Sequence, residues 1–295
     1  MKPYIKLLRP KDWIKNTFLF LPLFFSGELF RVESFIMVLE GFFCFSFVAS
    51  SIYILNDYRD IEDDKKHPEK KFRPLPAGTV EKSVALVMSV LLLVAGTAWG
   101  GFINYHFLVI LLLYWLLNLA YSLGLKNISI LDIFIIAIGF VLRVNAGSVI
   151  IRVPLSEWLI IMVFLLAIFL GLGKRRDDVL LKIKSGAEMR QSIRGYNLEF
   201  INISSALVSA VLIVAYFMYT MSPEVIERLG TRRLYFTCIF VLAGVFRYLQ
   251  LIYIKEKSDS PVKILYRDRF IQVSILLWII TFYVILYMKD VTLFN

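Results

Sequence analysis

Cysteine and histidine are scarce in this sequence, which has two of each among its 295 residues. Cys44 and Cys238 both lie inside apolar runs, so we expect them to pack in the interior and to form neither a disulfide nor a metal site. His67 and His106 are isolated from each other and from possible partners, which argues against a zinc centre and a histidine-based catalytic triad.

Charged residues are scarce as well, at 19% of the chain against 59% hydrophobic residues and a mean hydropathy of +0.72. A soluble domain cannot bury so much apolar surface, so the composition predicts a polytopic α-helical membrane protein. No small-residue cleavage site follows the first apolar run, which we interpret as a retained helix. Linkers and low-complexity segments are also missing, which predicts a single membrane domain over residues 1–295.

Nine apolar runs predict nine membrane spans in an all-α bundle. Most are long enough to cross about 30 Å of hydrocarbon at about 1.5 Å per residue, while the first and fourth are short. The runs fall at residues 16–30, 34–55, 83–103, 106–122, 129–150, 155–173, 201–221, 233–254 and 270–288.

The net charge of +10 could indicate a nucleic-acid partner, but the basic residues cluster in short loops between the apolar runs. With alternate loops assigned to opposite sides, 25 Lys and Arg fall on one side and 6 on the other. The positive-inside rule then places the N-terminus and the polar loops in the cytoplasm, and nine spans would leave Asn295 outside. We therefore expect a cytoplasmic active face, a lipid bilayer as surroundings and no nucleic acid.

A polar stretch at residues 56–78 separates two apolar runs and begins with N-D-x-x-D-x-x-x-D. Asp57, Asp60 and Asp64 have helical spacing and would project from one helix face, with Asn56 one turn before Asp60. Carboxylate and amide oxygens at that spacing fit Mg²⁺ shared with substrate phosphates. The alternative for such a stretch is a solvated, mixed-charge loop, but stacked carboxylates at the end of an apolar helix favour the metal site.

Basic residues follow these aspartates, and Lys71 and Arg73 are the candidates for binding phosphate oxygens. Lys65 and Lys66 are weaker candidates, and all four could simply balance the carboxylates.

A second basic cluster closes the sixth apolar run, where Gly171 and Gly173 would allow close approach of a ligand. Its candidate phosphate-binding residues are Lys174, Arg175, Arg176, Arg194 and Tyr196. A favourable helix dipole and snorkelling lysines would explain the same cluster without a ligand.

Several further polar residues lie in or beside apolar runs. Arg143 is a functional candidate because an arginine within a span is costly. Asp132 could face the same way as Arg143 or form a capping box with Ser129. Arg247 fits a structural or a functional role. The remaining candidates for substrate contact, each of which could also be an interfacial anchor, are Lys15, Tyr121 and Lys126.

These motifs together resemble the UbiA superfamily of intramembrane prenyltransferases, and within it the branch of decaprenyl-phosphate phosphoribosyltransferases. The aspartate motif carries the resemblance to the superfamily. The branch is indicated by R-P-K-D-W-I-K-N at 9–16, H-P-E-K-K-F-R-P-L-P-A-G at 67–78, L-D at 131–132, R-x-x-A-G at 143–147, G-K-R-R at 173–176 and D-R-F at 268–270.

The resemblance implies a Mg²⁺-dependent transfer of 5-phosphoribose from 5-phosphoribosyl 1-diphosphate to a polyprenyl monophosphate in a bacterial plasma membrane. The product would lead to a lipid-linked D-arabinose donor for glycan synthesis. Ordinary prenyltransferases of the superfamily carry a second aspartate motif after the sixth helix, where this chain has Lys174, Arg175 and Arg176. Two alternatives remain, a prenyltransferase with an aromatic acceptor and a non-catalytic anion or lipid transporter. An oligomer is also compatible with the sequence.

Overall fold

The computed structural model describes residues 2–66, 70–185, 191–254, 264 and 267–287, and these ranges contain helices and no strand. The all-α class predicted from the sequence is thereby confirmed. In chain order the α-helices are α1 Lys2–Leu7, α2 Leu21–Phe25, α3 Val32–Arg59, α4 Ile61–Lys66, α5 Lys82–Ile103, α6 Tyr105–Leu123, α7 Leu131–Ile151, α8 Glu157–Ser185, α9 Leu198–Met221, α10 Pro223–Leu229, α11 Cys238–Tyr253 and α12 Arg269–Tyr287.

Eight helices in the described ranges are long and apolar enough to span a membrane, so the predicted count of nine is not confirmed. The first predicted span, residues 16–30, instead consists of a 3₁₀ segment, Pro10–Phe20, followed by the short helix α2. A continuous helix would place Pro22 in its interior, where proline removes a hydrogen bond and clashes with the preceding turn. The outward position of Asn295 depended on nine spans and stays a prediction.

The chain divides into two compact units. The first comprises Met1–Leu125 and Gly139–Leu155, and the second comprises Lys126–Ile138 and Ser156–Asn295. Helix α7 therefore contributes its first turns to the second unit and the remainder to the first. Cys44 lies in the first unit and Cys238 in the second, and both are buried free thiols, as the sequence predicted.

In the first unit, small residues let α3 and α5 approach closely. A Cβ at Gly96 would lie 2.8 Å from the carbonyl oxygen of Cys44. Seven residues before Gly96 on α5, the Ser89 hydroxyl donates to the carbonyl of Ser51 over 2.9 Å. Close backbone approach through glycine and serine is typical of helix pairs in membranes. The packing holds α3 in place, and α3 ends at the aspartate motif.

The 3₁₀ segment Pro10–Phe20 lies along α3 in the first unit. A 3₁₀ helix has three residues per turn, so Trp13, Asn16 and Leu19 share one face. Trp13 donates to Ser50 over 3.0 Å, and Asn16 donates to Ser46 over 2.9 Å. Leu19 is fully buried. This face fixes the position of the segment, and with it the residues at its beginning.

The elongated geometry of the segment suits this role. A 3₁₀ helix rises about 2.0 Å per residue, so the seven residues from Arg9 to Asn16 cover about 14 Å. Their partners on α3, Asp57 and Ser46, are eleven residues apart and about 16 Å apart along the axis. An α-helical segment would cover only about 10 Å. The 3₁₀ geometry therefore lets Arg9, directly before the segment, and Asn16, in its middle, both reach α3.

In the second unit, α8 continues well beyond the predicted end of its span at residue 173 and includes the G-K-R-R motif. A Cβ at Gly173 would overlap the hydroxyl of Tyr248, and one at Gly171 would lie 3.3 Å from Ile133. Both glycines thus allow close packing of α8 within this unit. The expectation that they admit a ligand stays a prediction.

Arg247, whose role the sequence left open, has a structural contact. Its Nη2 lies 2.8 Å from Asp268, and its Nε lies 3.2 Å from both oxygens of that carboxylate. The same carboxylate accepts a hydrogen bond from the backbone of Ile271 in the first turn of α12. Arg247 therefore connects α11 to the beginning of α12.

Candidate active site

The aspartate motif lies at the junction of two helices, since α3 ends at Arg59 and α4 begins at Ile61. Helical hydrogen bonds nevertheless continue through the junction. The amide of Asp60 donates to the carbonyl of Asn56 over 3.0 Å, and the amide of Asp64 donates to that of Asp60 over 2.8 Å. The helical spacing assumed from the sequence therefore holds approximately across the motif.

Asp57 and Asp64 are both buried and share one guanidinium group. Nη1 of Arg73 lies 3.0 Å from Asp57 Oδ1 and 2.7 Å from Asp64 Oδ2. Nη2 of Arg9 also pairs with Asp57 Oδ1, and the ammonium of Lys70 lies 3.6 Å from Asp64 Oδ1. The centre of the first unit's site is thus two carboxylates surrounded by three cations.

The other two predicted metal ligands have different surroundings. Asn56 accepts a hydrogen bond from the Ser122 hydroxyl over 3.2 Å, which connects α3 to the end of α6. Asp60 is half-buried at the C-terminus of α3. Among the described residues, no three acidic, histidine or cysteine side chains lie close enough to hold one metal ion. The structure therefore brings together Asp57, Asp64 and Arg73, but not the complete predicted ligand set.

Arg9 belongs to this site although the sequence analysis did not select it. Its backbone is left-handed, with φ 52° and ψ 57°, immediately before Pro10. Residues with a Cβ rarely adopt this conformation. Its guanidinium lies 5.4 Å from the centre of the Tyr53 ring and pairs with Asp57. The R-P-K-D-W-I-K-N motif contains Arg9, but its spacing does not indicate that Arg9 reaches Asp57.

Lys15 lies on the same segment as Arg9. Its ammonium is 2.7 Å from Asp12 Oδ1 and 5.8 Å from the centre of the Tyr53 ring. Burial raises the pKa of Asp12, but the charges of Lys15 and of the arginines Arg9 and Arg73 outweigh it and leave that pKa below its usual value. Asp12 is therefore ionised at neutral pH and holds Lys15 beside the Tyr53 ring.

Arg143 is 4% exposed and contacts the 3₁₀ segment. Its Nε donates to Asn16 over 2.9 Å, its Nη1 to the carbonyl of Gly139 over 2.7 Å, and its Nη2 to the hydroxyl of Tyr114 over 2.8 Å. The rings of Phe45, Tyr114 and Phe140 surround the guanidinium at 4.7–5.3 Å. These contacts make Arg143 a residue that positions Asn16 and therefore the segment carrying Arg9 and Lys15.

The remaining candidate residues are half-buried or exposed wherever the structure describes their side chains. Tyr121 is half-buried near the end of α6, and Lys126 is half-buried at the beginning of the second unit. Lys71 is exposed with its ammonium 5.2 Å from the Phe72 ring. Lys65 is exposed and pairs with Glu62 over 2.8 Å. The side chain of Lys66 and residue His67 lie outside the described residues.

In the described part of the second unit, the basic residues of the predicted patch are divided between buried and exposed positions. Arg175 and Arg176 are 2% and 6% exposed, whereas Lys174 and Arg194 are exposed. Arg176 donates to the carbonyl of Ile252 near the end of α11, and to Asn202 over 3.2 Å. Because α8 continues through the motif, successive residues point to different sides and only some of them reach solvent.

Arg175 is held by two carboxylates. Its Nε lies 2.8 Å from Asp132 and its Nη1 2.5 Å from Asp178. The other oxygen of Asp132 accepts a hydrogen bond from Tyr196 over 2.7 Å. Burial, followed by this hydrogen bond, raises the pKa of Tyr196, so the phenol remains protonated and continues to donate.

The hydroxyl of Tyr196 accepts a further bond from the amide of Ile130, over 2.6 Å. Ile130 has a φ of 71°, a strained value for a β-branched residue. The neighbouring Ser129 donates to the carbonyl of Ser192 over 2.6 Å. The structure shows no capping box between Ser129 and Asp132. Asp132 and Tyr196 therefore fasten the loop that carries Arg194 to the beginning of α7.

We expect Asp132→Asn to lower the free energy of unfolding by about 3 kcal/mol, because it leaves the buried guanidinium of Arg175 with one carboxylate. Asp178→Asn should cost about 1 kcal/mol or less, since the side chain of Asp178 is 25% exposed. Unfolding monitored in detergent measures both. Equal losses would contradict the central position of Asp132 in this cluster.

By these features the protein is an integral membrane protein of the all-α class with carboxylate–arginine clusters at the ends of its helices. The model of the UbiA prenyltransferase family matches residues 17–188, more than half of the chain. The chain belongs to this family and is a membrane-bound transferase.

Relatives agree with this assignment, and a solved structure shares the fold. The chain is 31% identical to the decaprenyl-phosphate phosphoribosyltransferase of Mycolicibacterium smegmatis, over 93% of this chain and 89% of the relative. It is 30% identical to the protein of that name from Mycobacterium tuberculosis, over 94% and 92%. A UbiA homologue from Archaeoglobus fulgidus, solved bound to DMAPP and Mg²⁺, superposes with a TM-score of 0.71 at 20% identity, over 96% of this chain and 99% of that one.

Proposed function

We propose that the chain transfers 5-phosphoribose from 5-phosphoribosyl 1-diphosphate to a polyprenyl monophosphate and releases diphosphate. The observation that carries the proposal is the similarity, over more than nine tenths of the chain, to proteins named decaprenyl-phosphate phosphoribosyltransferase. The site chemistry supports it, because a donor with three phosphate groups requires several cations. The product would serve as a precursor of a lipid-linked D-arabinose donor.

The first unit's carboxylates fit Mg²⁺ in their chemistry. Asn56, Asp57, Asp60 and Asp64 offer hard oxygen donors, which are the usual protein ligands of this ion. Asp57 and Asp64 already converge on one nitrogen of Arg73, so they can approach a common cation. When bound, Mg²⁺ would supply positive charge to the departing diphosphate.

In the reaction, the bond from C1 of the ribose to the diphosphate oxygen breaks and a bond from C1 to an oxygen of the polyprenyl phosphate forms. The attacking oxygen is already anionic, so the reaction requires no strong general base. The protein must bring two anions together and neutralise the charge that develops on the leaving group. In the first unit we assign this task to Arg73, whose side chain is 29% exposed, and to Lys15.

In the second unit we propose Lys174 and Arg194 as the residues that contact phosphate, because their side chains are exposed. Arg175, Arg176 and Tyr196, which the sequence placed in the same role, would support them from buried positions. The basic loops favour a cytoplasmic site. Exposed apolar helix faces, such as those of α5, would contact lipid tails.

The test is an assay with full-length protein in detergent, Mg²⁺ and a polyprenyl phosphate. Donor labelled in the ribose should pass label into the organic phase, and EDTA or Asp60→Asn should abolish the transfer. Asp63→Asn is the matched control, because Asp63 is exposed on α4, which begins directly after Asp60, and the substitution removes the same charge. We expect it to retain transfer within about twofold, as most exposed substitutions have small effects.

Two outcomes would contradict the proposal. Transfer from a prenyl diphosphate to an aromatic acceptor, without phosphoribosyl transfer, would indicate an ordinary prenyltransferase. Label that enters the lipid equally well in the presence of EDTA would contradict the metal dependence.

A further inference from the structure

The buried carboxylates of the first unit lie behind their arginines. The side chains of Asp57 and Asp64 are 2% and 4% exposed, whereas those of Arg9 and Arg73 are 20% and 29% exposed. A cation arriving from solvent therefore meets the guanidinium groups first. Because the carboxylates are almost fully buried, it can reach their oxygens only if the surrounding cationic side chains move.

The arginines also occupy the same lone pairs that a cation would use. Oδ1 of Asp57 interacts with both Arg9 and Arg73, and Oδ2 of Asp64 interacts with Arg73 at 2.7 Å. An oxygen that accepts from a guanidinium N–H in this way cannot give the same electron pair to a metal ion. A divalent cation that binds Asp57 Oδ1 and Asp64 Oδ2 together would take the position of Nη1 of Arg73, so it must displace that guanidinium.

Displacement alone would be unfavourable. It would leave Arg9 and Arg73 as unpaired cations in a partly buried site next to a divalent cation, where like charges repel strongly. Oxygens of a diphosphate would provide new acceptors, since guanidinium groups pair with phosphate as readily as with carboxylate. The backbone strain at Arg9 indicates that its position on Asp57 is maintained against a local cost.

We propose that Arg9 and Arg73 are exchangeable counter-ions that couple the binding of the cation to the binding of the diphosphate. They neutralise Asp57 and Asp64, and transfer to the diphosphate when the cation takes the carboxylates. The proposal deepens the proposed function and rests on its Mg²⁺–diphosphate site. It assigns to Arg9 a role in substrate binding that the sequence did not indicate, and it predicts that cation and diphosphate each bind weakly alone.

The coupling is measurable by titration calorimetry on the full-length protein in detergent. The probes are Mg²⁺ alone, inorganic diphosphate alone in EDTA, and the preformed Mg²⁺–diphosphate complex. We expect the complex to bind at least about tenfold more tightly than either component, within the range typical of coupled sites. Comparable affinity for Mg²⁺ with and without diphosphate would overturn the proposal.

Substitutions distinguish the exchange of counter-ions from the general effect of removing one positive charge. Arg73→Gln should bind Mg²⁺ alone about tenfold more tightly than wild type and the complex about tenfold more weakly, because the competing guanidinium is absent. Lys6→Gln is the control, since Lys6 binds the carbonyl of Phe72, next to Arg73, and contacts no carboxylate in the described residues. It removes the same charge and should change both affinities by less than about threefold, as for an exposed charge.

Equal gains of Mg²⁺ affinity in Arg73→Gln and Lys6→Gln would contradict the exchange. Arg9→Gln is a second, independent variant, because Arg9 contacts Asp57 and not Asp64 in the described structure. It should also bind Mg²⁺ alone more tightly and the complex more weakly. Thermal unfolding should first confirm that each variant is folded. Inorganic diphosphate replaces the sugar donor here, so failure of phosphoribosyl transfer and failure of this coupling give different results.

Discussion

Asp57→Asn is expected to lower the rate of transfer by about 10²–10³-fold, the effect of removing one group that stabilises charge in a transition state. The substitution preserves shape but removes the charge that Arg9 and Arg73 share. It also removes a candidate oxygen ligand for Mg²⁺. Two guanidinium groups would then lie beside a neutral amide, and their positions for substrate binding would be lost. Initial rates at saturating donor and acceptor measure the loss.

The specificity of this effect depends on burial, which the motif alone does not reveal. Asp57 is 1% exposed, whereas Asp63, also in the polar stretch, is exposed. Asp63→Asn should therefore leave the rate within about twofold of wild type. More than a tenth of the wild-type rate in Asp57→Asn, or an equal loss in Asp63→Asn, would show that Asp57 is not central to the reaction.

The sequence predicted the spans well wherever an apolar run coincided with a regular helix. It did not anticipate that residues 16–30 form no continuous α-helix, because hydropathy does not register that Pro22 interrupts helical hydrogen bonding. It also ended α8 at residue 173, because the apolar run stops there. The helix continues to Ser185, since the charged residues that follow find buried partners within the second unit.

The sequence likewise predicted only part of the candidate site. Helical spacing was sufficient to place Asp57 and Asp64 on a common side, where Arg73 joins them. Spacing could not indicate that Arg175 is buried, because its partner Asp132 is more than forty residues away in the chain. It also could not indicate that Arg9 reaches Asp57, since that contact depends on a left-handed backbone and a 3₁₀ segment.

A second large effect is expected from Gly147→Ala, one helical turn after Arg143 on α7. A Cβ at this position would overlap the backbone carbonyl oxygen of Leu19, with the carbonyl carbon at 2.9 Å. Backbone cannot rotate away as a side chain can, so the 3₁₀ segment must shift. A displacement of about 1 Å in groups that position a substrate can cost about 10²-fold in rate.

The segment that must shift carries Lys15 and begins next to Arg9, so both cations would move relative to Asp57. We expect Gly147→Ala to lose about 10²-fold in transfer rate and about 1–3 kcal/mol in stability through overpacking. Gly101→Ala is the matched control, because its Cβ would meet only Leu108 at an ordinary 3.4 Å. That variant should be stabilised by about 0.4–1 kcal/mol and keep its activity. If both variants behave alike in rate and unfolding, the contact between α7 and the 3₁₀ segment does not position the site.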